Sequence, residues 1–176
     1  MKRKLTLVVS CFSLSLLLTI AASGQILGKS PEADSVKKAL QQADLNDVTV
    51  SDDADKNTIT LGGTVHSEEA KNKAAEVAKS AAGNRQIANE ISVQPVGNES
   101  RARSVASNLD DGIEDNYKAA LISKHLDDLS IHYSAKNGVL KLTGSVKNAG
   151  QREEAGKLAE KVPNVHQVVN QLEVHP

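Results

Sequence analysis

The chain has 176 residues, 24% of them charged and 2% aromatic, with a formal net charge of -1, one cysteine and no tryptophan. Such a length holds one ordinary domain or two small ones, and a lone Cys11 excludes an internal disulfide or a thiolate metal site. Neither the charge nor the aromatic content suits a nucleic-acid binder, which needs a basic surface or several stacking platforms.

Lys2, Arg3 and Lys4 open the chain, Leu5 to Ile20 carries no charge, and Ala21, Ala22, Ser23 and Gly24 offer small residues to a signal peptidase. Residues 1–24 are expected to be an export signal cut near Gly24, placing the protein in a periplasm. Two alternatives share the stretch. One is an uncut anchor, although a span needs about 20 apolar residues and serines and threonines dilute this run. The other is a lipoprotein, since Val8, Val9, Ser10 and Cys11 resemble a lipobox. Loss of the three leader cations moves the net charge from -1 to -4 and leaves Tyr117 and Tyr133 as the only aromatics.

Shifted by 81 positions, Asp34–Val93 aligns with Asp115–Val174 without a gap, with 15 identities in 60. A duplicated module is therefore predicted over 32–94 and 113–175, with a polar linker at 95–112 that includes a helical turn near Val105. Each copy opens with helical spacing: Val36, Ala39, Leu40 and Ala43, then Ile113, Tyr117, Ala120 and Leu121. Alternating runs follow, Val48 and Val50 or Leu129, Ile131 and Tyr133, which read as strands with one wet face.

The segments TITLGGTV (58–65) and VLKLTGSV (139–146) alternate in the same way, with Ile59, Leu61, Gly63 and Val65, or Leu140, Leu142, Gly144 and Val146, facing inward. Asn137-Gly138 suits a type I′ turn, so each pair of strands is expected to form a hairpin. An inward glycine gives up packing. Gly63 and Gly144 are therefore expected where another backbone comes close, with the following helix as the candidate.

That helix starts after Ser67 or Asn148 as caps, carries an alanine-rich stripe (Ala70, Ala74, Ala78; Ala155, Ala159), and ends at Gly83 or Pro163. A last strand holds Ile87, Asn89, Ile91 and Val93, or Val168, Asn170, Leu172 and Val174. A right-handed crossover makes it parallel to the middle strand. The predicted fold class is α+β: two tandem αββαβ modules, each a three-stranded mixed sheet with two helices on one face.

The LxGxV pattern, the capped alanine-rich helix and the ending NVHQVVNQLEV at 164–174 resemble the BON domain, the bacterial OsmY and nodulation module. The first copy departs from the pattern: Asn84, Arg85 and Gln86 replace the Gly-Val lead-in to the last strand, and Ala88 replaces a larger aliphatic. The resemblance implies a non-enzymatic envelope protein that attaches to phospholipid or to envelope proteins under osmotic or surface stress.

The side chains point away from catalysis. His66, His125, His132 and His166 have no histidine at the repeat offset, and His175 lies beyond it. Acid pairs such as Glu68 with Glu69 are consecutive, so on a helix they do not face one another across a substrate. Asp52, Asp53 and Asp55 lack the glycine and closing glutamate of a calcium loop. Asn89 and Asn170, inward between apolar neighbours, are expected to satisfy nearby backbone.

No catalytic, cofactor or metal residues are assigned. Lys and Arg number seven against ten Asp and Glu over 33–95, but eight against eight over 113–176, so the second module is less repelled by an anionic membrane. Lys118, Lys124, Arg152, Lys157 and Lys161 are the candidate lipid or partner surface, with Tyr117 readable either as an interfacial aromatic or as core matching Val36. The expected partner is an anionic phospholipid surface. The rival is a protein-binding or chaperone-like role through sheet edges or the alanine-rich helices.

Overall fold

The computed structural model describes residues 30–127 and 129–175; the expected signal at 1–24, with Cys11, lies outside them. In the first module α1 (Pro31–Gln42) leads to the hairpin of β1 (Val48–Asp53) and β2 (Thr58–Val65). Helix α2 (Glu68–Ala81) then connects to β3 (Gln86–Asn89) and β4 (Ser92–Val93). Strand β1 pairs antiparallel with β2, and β3 and β4 both run parallel to β2. They are two pieces of one strand interrupted at Glu90 and Ile91, so the sheet is three strands wide, as predicted.

The second module repeats the order with α3 (Glu99–Ser123), β5 (Ser130–Lys136), β6 (Val139–Val146), α4 (Ala149–Glu160), β7 (Gln167–Asn170) and β8 (Glu173–Val174). Ser67 Oγ accepts the Ala70 N–H and Asn148 Oδ1 the Gln151 N–H, so both expected caps are in place. At the β5–β6 turn Asn137 and Gly138 have φ of 49° and 82°, the left-handed pair a type I′ turn requires. Asn89 Nδ2 donates to Lys71 O on α2, and Asn170 Nδ2 to Arg152 O on α4, the same strand-to-helix bond written twice.

Gly63 and Gly144 do mark a close backbone approach, but not by the helix. A Cβ on Gly63 would lie 2.1 Å from Asp47 O, and one on Gly144 2.0 Å from Ser130 O, both carbonyls at the start of the antiparallel partner strand. Their φ of 92° and 99° adds a second reason for glycine. The expected linker at 95–112 holds far more helix than a turn near Val105. From Glu99 onward it is the first half of α3, since residues 99–112 hold no proline and their alanines, arginines and leucine accept helix as a continuation of a helix that the second core anchors.

Each module has its own core. Val36, Leu40, Ile59, Leu61 and Ile91 gather in the first and Ile113, Leu121, Leu140, Leu142 and Leu172 in the second. A third small cluster, Ala88, Val139 and Val169, lies where the sheets meet. Around it Gln167 binds the outer edge of β3 at both ends: its Oε1 accepts the Asn89 N–H at 3.0 Å, and its Nε2 donates to Ile87 O. Gln171 Nε2 donates to Thr58 Oγ1 at 2.8 Å, and Asn137 Nδ2 to Glu90 O at 2.9 Å. Lys56 pairs with Glu173, and Lys136 with Glu90. Thr58, which alternates with the inward Ile59 on β2, is nevertheless fully buried, with Gln171 of the second module bonded to it.

The departure at Arg85 also has a structural cause. Its guanidinium donates to Asp52 Oδ1, Asp53 O, Thr58 O and the Ser30 hydroxyl. The Asp52 and Arg85 side chains are only 7% and 10% exposed. Ser30 caps α1, so this ion pair ties the start of α1 to the end of β1. Burial opposes ionisation of Asp52, but the bonds from Ser30 and Arg85 outweigh it and hold the carboxyl below its usual range.

Candidate functional site

The buried stripe of α3 over the second core is Ile113, Tyr117 and Leu121. Tyr117 is fully buried, its hydroxyl donates to Ala155 O on α4 at 3.2 Å, and its ring meets Tyr133 edge-on with centroids 5.2 Å apart. Burial, with Tyr133 beside it, pushes its hydroxyl pKa up. The surface reading of Tyr117 is therefore corrected: it is a core residue between two helices. Its polar tip is satisfied by a carbonyl inside the module, which removes any need for an interfacial position.

The five cations are exposed as expected, yet they do not form one patch. Arg152 and Lys157, five residues apart on α4, point about 140° from each other, and Lys157 pairs with Glu153. Lys118 is different. It borders a cleft of about 340 Å³ between α3 and β5, lined by Leu121, Ile122, Leu126, Leu129, Ile131 and Tyr133, with Asp127 at the same opening. Ile122, one turn after Lys118 on the same helix face, is 49% exposed.

Sequence reasoning passed over Ile122, although the repeat carries the signal. Its counterpart is Gln41, so an apolar residue replaces a polar one on the outer side of the second module only. Lys124, the C-cap residue of α3, stands two residues further on, where the first module has Ala43.

A larger cavity of about 610 Å³ separates the modules, bounded by α2, the first half of α3 and the β5–β6 turn. On one side Lys71 Nζ donates to Asn137 O at 3.2 Å, and on the other Asp110 accepts the Asn137 and Gly138 N–H groups at 2.8 and 3.0 Å. Burial lowers the Lys71 pKa, with the Glu68 and Asp110 carboxylates opposing that shift. His166 is the one histidine that lines this cavity; His66 binds Gln94 O, His175 pairs with Glu173, and His125 and His132 are exposed. Among the described residues no group of three His, Cys, Asp or Glu is placed to hold a metal, and no helix is long and apolar enough to cross a membrane.

The BON domain family model matches residues 32–95 and 109–176, which covers both modules and the strand-helix-strand units that define them. The chain belongs to the BON domain family. A search of curated proteins finds no match. Among solved structures, the C-terminal domain of CdsD, a structural protein of the type III secretion system of Chlamydia trachomatis, is similar at 11% identity and a TM-score of 0.34, covering 85% of this chain and all of that one. A second CdsD structure gives 10% identity and a TM-score of 0.35, covering 81% of this chain and 91% of that one. A likeness this loose carries no functional argument. Membership links both BON modules to a family associated with phospholipid binding and the cell envelope.

Proposed function

We propose that this protein is an exported, non-enzymatic envelope protein. Its second BON module attaches to anionic phospholipid and so supports the envelope under osmotic or surface stress. The observation that carries this reading is the exposed Ile122 beside Lys118 over an apolar cleft. A half-exposed isoleucine adds about 1 kcal/mol when it enters the headgroup boundary, and each lysine near an anionic surface adds about 1 kcal/mol. The first module has Gln41 at the position of Ile122.

The test is co-sedimentation of the full chain with vesicles of phosphatidylcholine alone or mixed with phosphatidylglycerol. Binding is expected to need the anionic lipid and to weaken with salt. Reversing one charge removes about 2 kcal/mol, so Lys118→Glu lowers the partition coefficient by about 30-fold. Equal binding to both vesicles, or unchanged binding after Lys118→Glu with Ile122→Ser, would refute the reading. Binding to neither would favour the protein-binding alternative.

A further inference from the structure

The inter-module cavity lies apart from the Lys118 cleft and is not needed for membrane attachment. At about 610 Å³ it falls within the usual size of small-molecule sites. Part of its lining is spent on holding the modules together: Asp110 is occupied by two backbone N–H groups, and Lys71 donates one bond to Asn137 O. The rest is not. Glu68, Asn72 and Asn164 are exposed and line the cavity without a hydrogen bond or ion pair among the described residues, and the Lys71 ammonium has further N–H groups to offer.

The unspent groups include donors and acceptors side by side. With Asp110 already occupied by two backbone N–H groups, the lysine charge stands against the one unspent carboxylate of Glu68, so neither a strong anion nor a metal ion is favoured. Val93, Leu109 and Ile113 supply an apolar wall. A hydroxyl donates and accepts at once, and a sugar ring adds C–H faces that suit such a wall.

From this pattern we infer that the cavity between the two BON modules binds an uncharged, hydroxyl-rich ligand of mono- to disaccharide size. Glu68 and the Asn72 and Asn164 amides pair with hydroxyls, and Lys71 donates to an oxygen. With no aromatic platform in the lining, affinity is modest.

The experiment is an amide NMR titration of the full chain with maltose, maltotetraose, citrate and spermidine. Saturable shifts with the sugars, confined to Lys71, Asn72, Asn137 and their neighbours, are the expected result. Equal affinity for the two sugars marks a pocket for free saccharide and tighter binding of maltotetraose marks the end of a glycan; either supports the assignment. Asn72→Ala is expected to weaken binding about tenfold, and Ala106→Trp, which fills the cavity, to abolish it. Both variants should leave vesicle binding unchanged, so this inference and the lipid reading fail separately. No saturable shift with either sugar, or tighter saturation by citrate or spermidine, would overturn it.

Discussion

Replacing Arg85 with alanine removes the cation that neutralises Asp52, whose side chain is only 7% exposed in the native protein. Asp52 keeps Ser30, whose N–H donates to it at 2.7 Å, and the Asp53 and Thr58 carbonyls lose a donor. Breaking a buried pair from one side costs about 3–5 kcal/mol, and the residual exposure of both partners places this one near 3. Small domains have total stabilities from about 5 kcal/mol, so the first module should lose most of its margin. Urea unfolding followed by circular dichroism measures the loss, and amide exchange assigns it to α1, β1 and β2.

The pH dependence gives an independent sign. In the native protein the Asp52 pKa is lowered, so its contribution is present above its ordinary value of 3.8 and is lost as pH falls through the lower folded value. Without Arg85 its side-chain bond and its charge no longer lower the Asp52 pKa, so the folded value moves up from its native position, with the Ser30 bonds still opposing desolvation. The variant should therefore lose less stability than wild type as pH falls through the lowered native Asp52 value, narrowing the gap between them. The double replacement Asp52→Ala, Arg85→Ala should be milder than the sum of the two single changes by about 1.5–3 kcal/mol. A loss under about 1 kcal/mol for Arg85→Ala, or strict additivity, would refute the argument that this is a buried, coupled pair.

Gly144→Ala puts a Cβ 2.0 Å from Ser130 O at a φ of 99° and should destabilise the second module by about 3 kcal/mol. Gly112→Ala, mid-helix in α3 with nothing within 4 Å, should stabilise by about 0.5–1 kcal/mol; thermal unfolding separates the two, and equal effects would contradict the geometry. Gln167→Ala uncovers Ile87 O and the Asn89 N–H on the β3 edge, so exchange of the Asn89 amide should accelerate about tenfold; an unchanged rate would mean that the modules do not dock this way. The Glu173 carboxyl is held down to about 2, first by Lys56 and then by His175. What this inter-module pair adds is present above the ordinary value of 4.5 and lost as pH falls towards 2. An NMR titration of Glu173 with a midpoint near 4.5 would show the pair to be absent in solution.

The period-two and helical spacings of 34–93 and 115–174, the Ser67 and Asn148 caps, the Asn137-Gly138 turn and the paired Asn89 and Asn170 were all legible in the chain itself. Each depends on residues within one module, where hydrophobic alternation and local hydrogen bonding decide the outcome. The duplication made the reading firmer, because a residue that kept its character in both copies had to serve the shared architecture. It also held a signal that went unread, the exchange of Gln41 for Ile122.

What the sequence alone could not settle depends on residues far apart in the chain meeting across a boundary. Tyr117 could be assigned to the core only once α4 was seen to bring Ala155 O to its hydroxyl. The two places where the first copy departs from the family pattern, Arg85 and Ala88, became intelligible in the same way. Arg85 reaches back 33 residues to neutralise Asp52, and Ala88 is small where Val139 and Val169 of the other module close over it. Local pattern determined what each module is. Only the docking of one sheet edge against another, through contacts that leave no periodicity in the sequence, decided which outward faces stay wet and where a cavity is left between them.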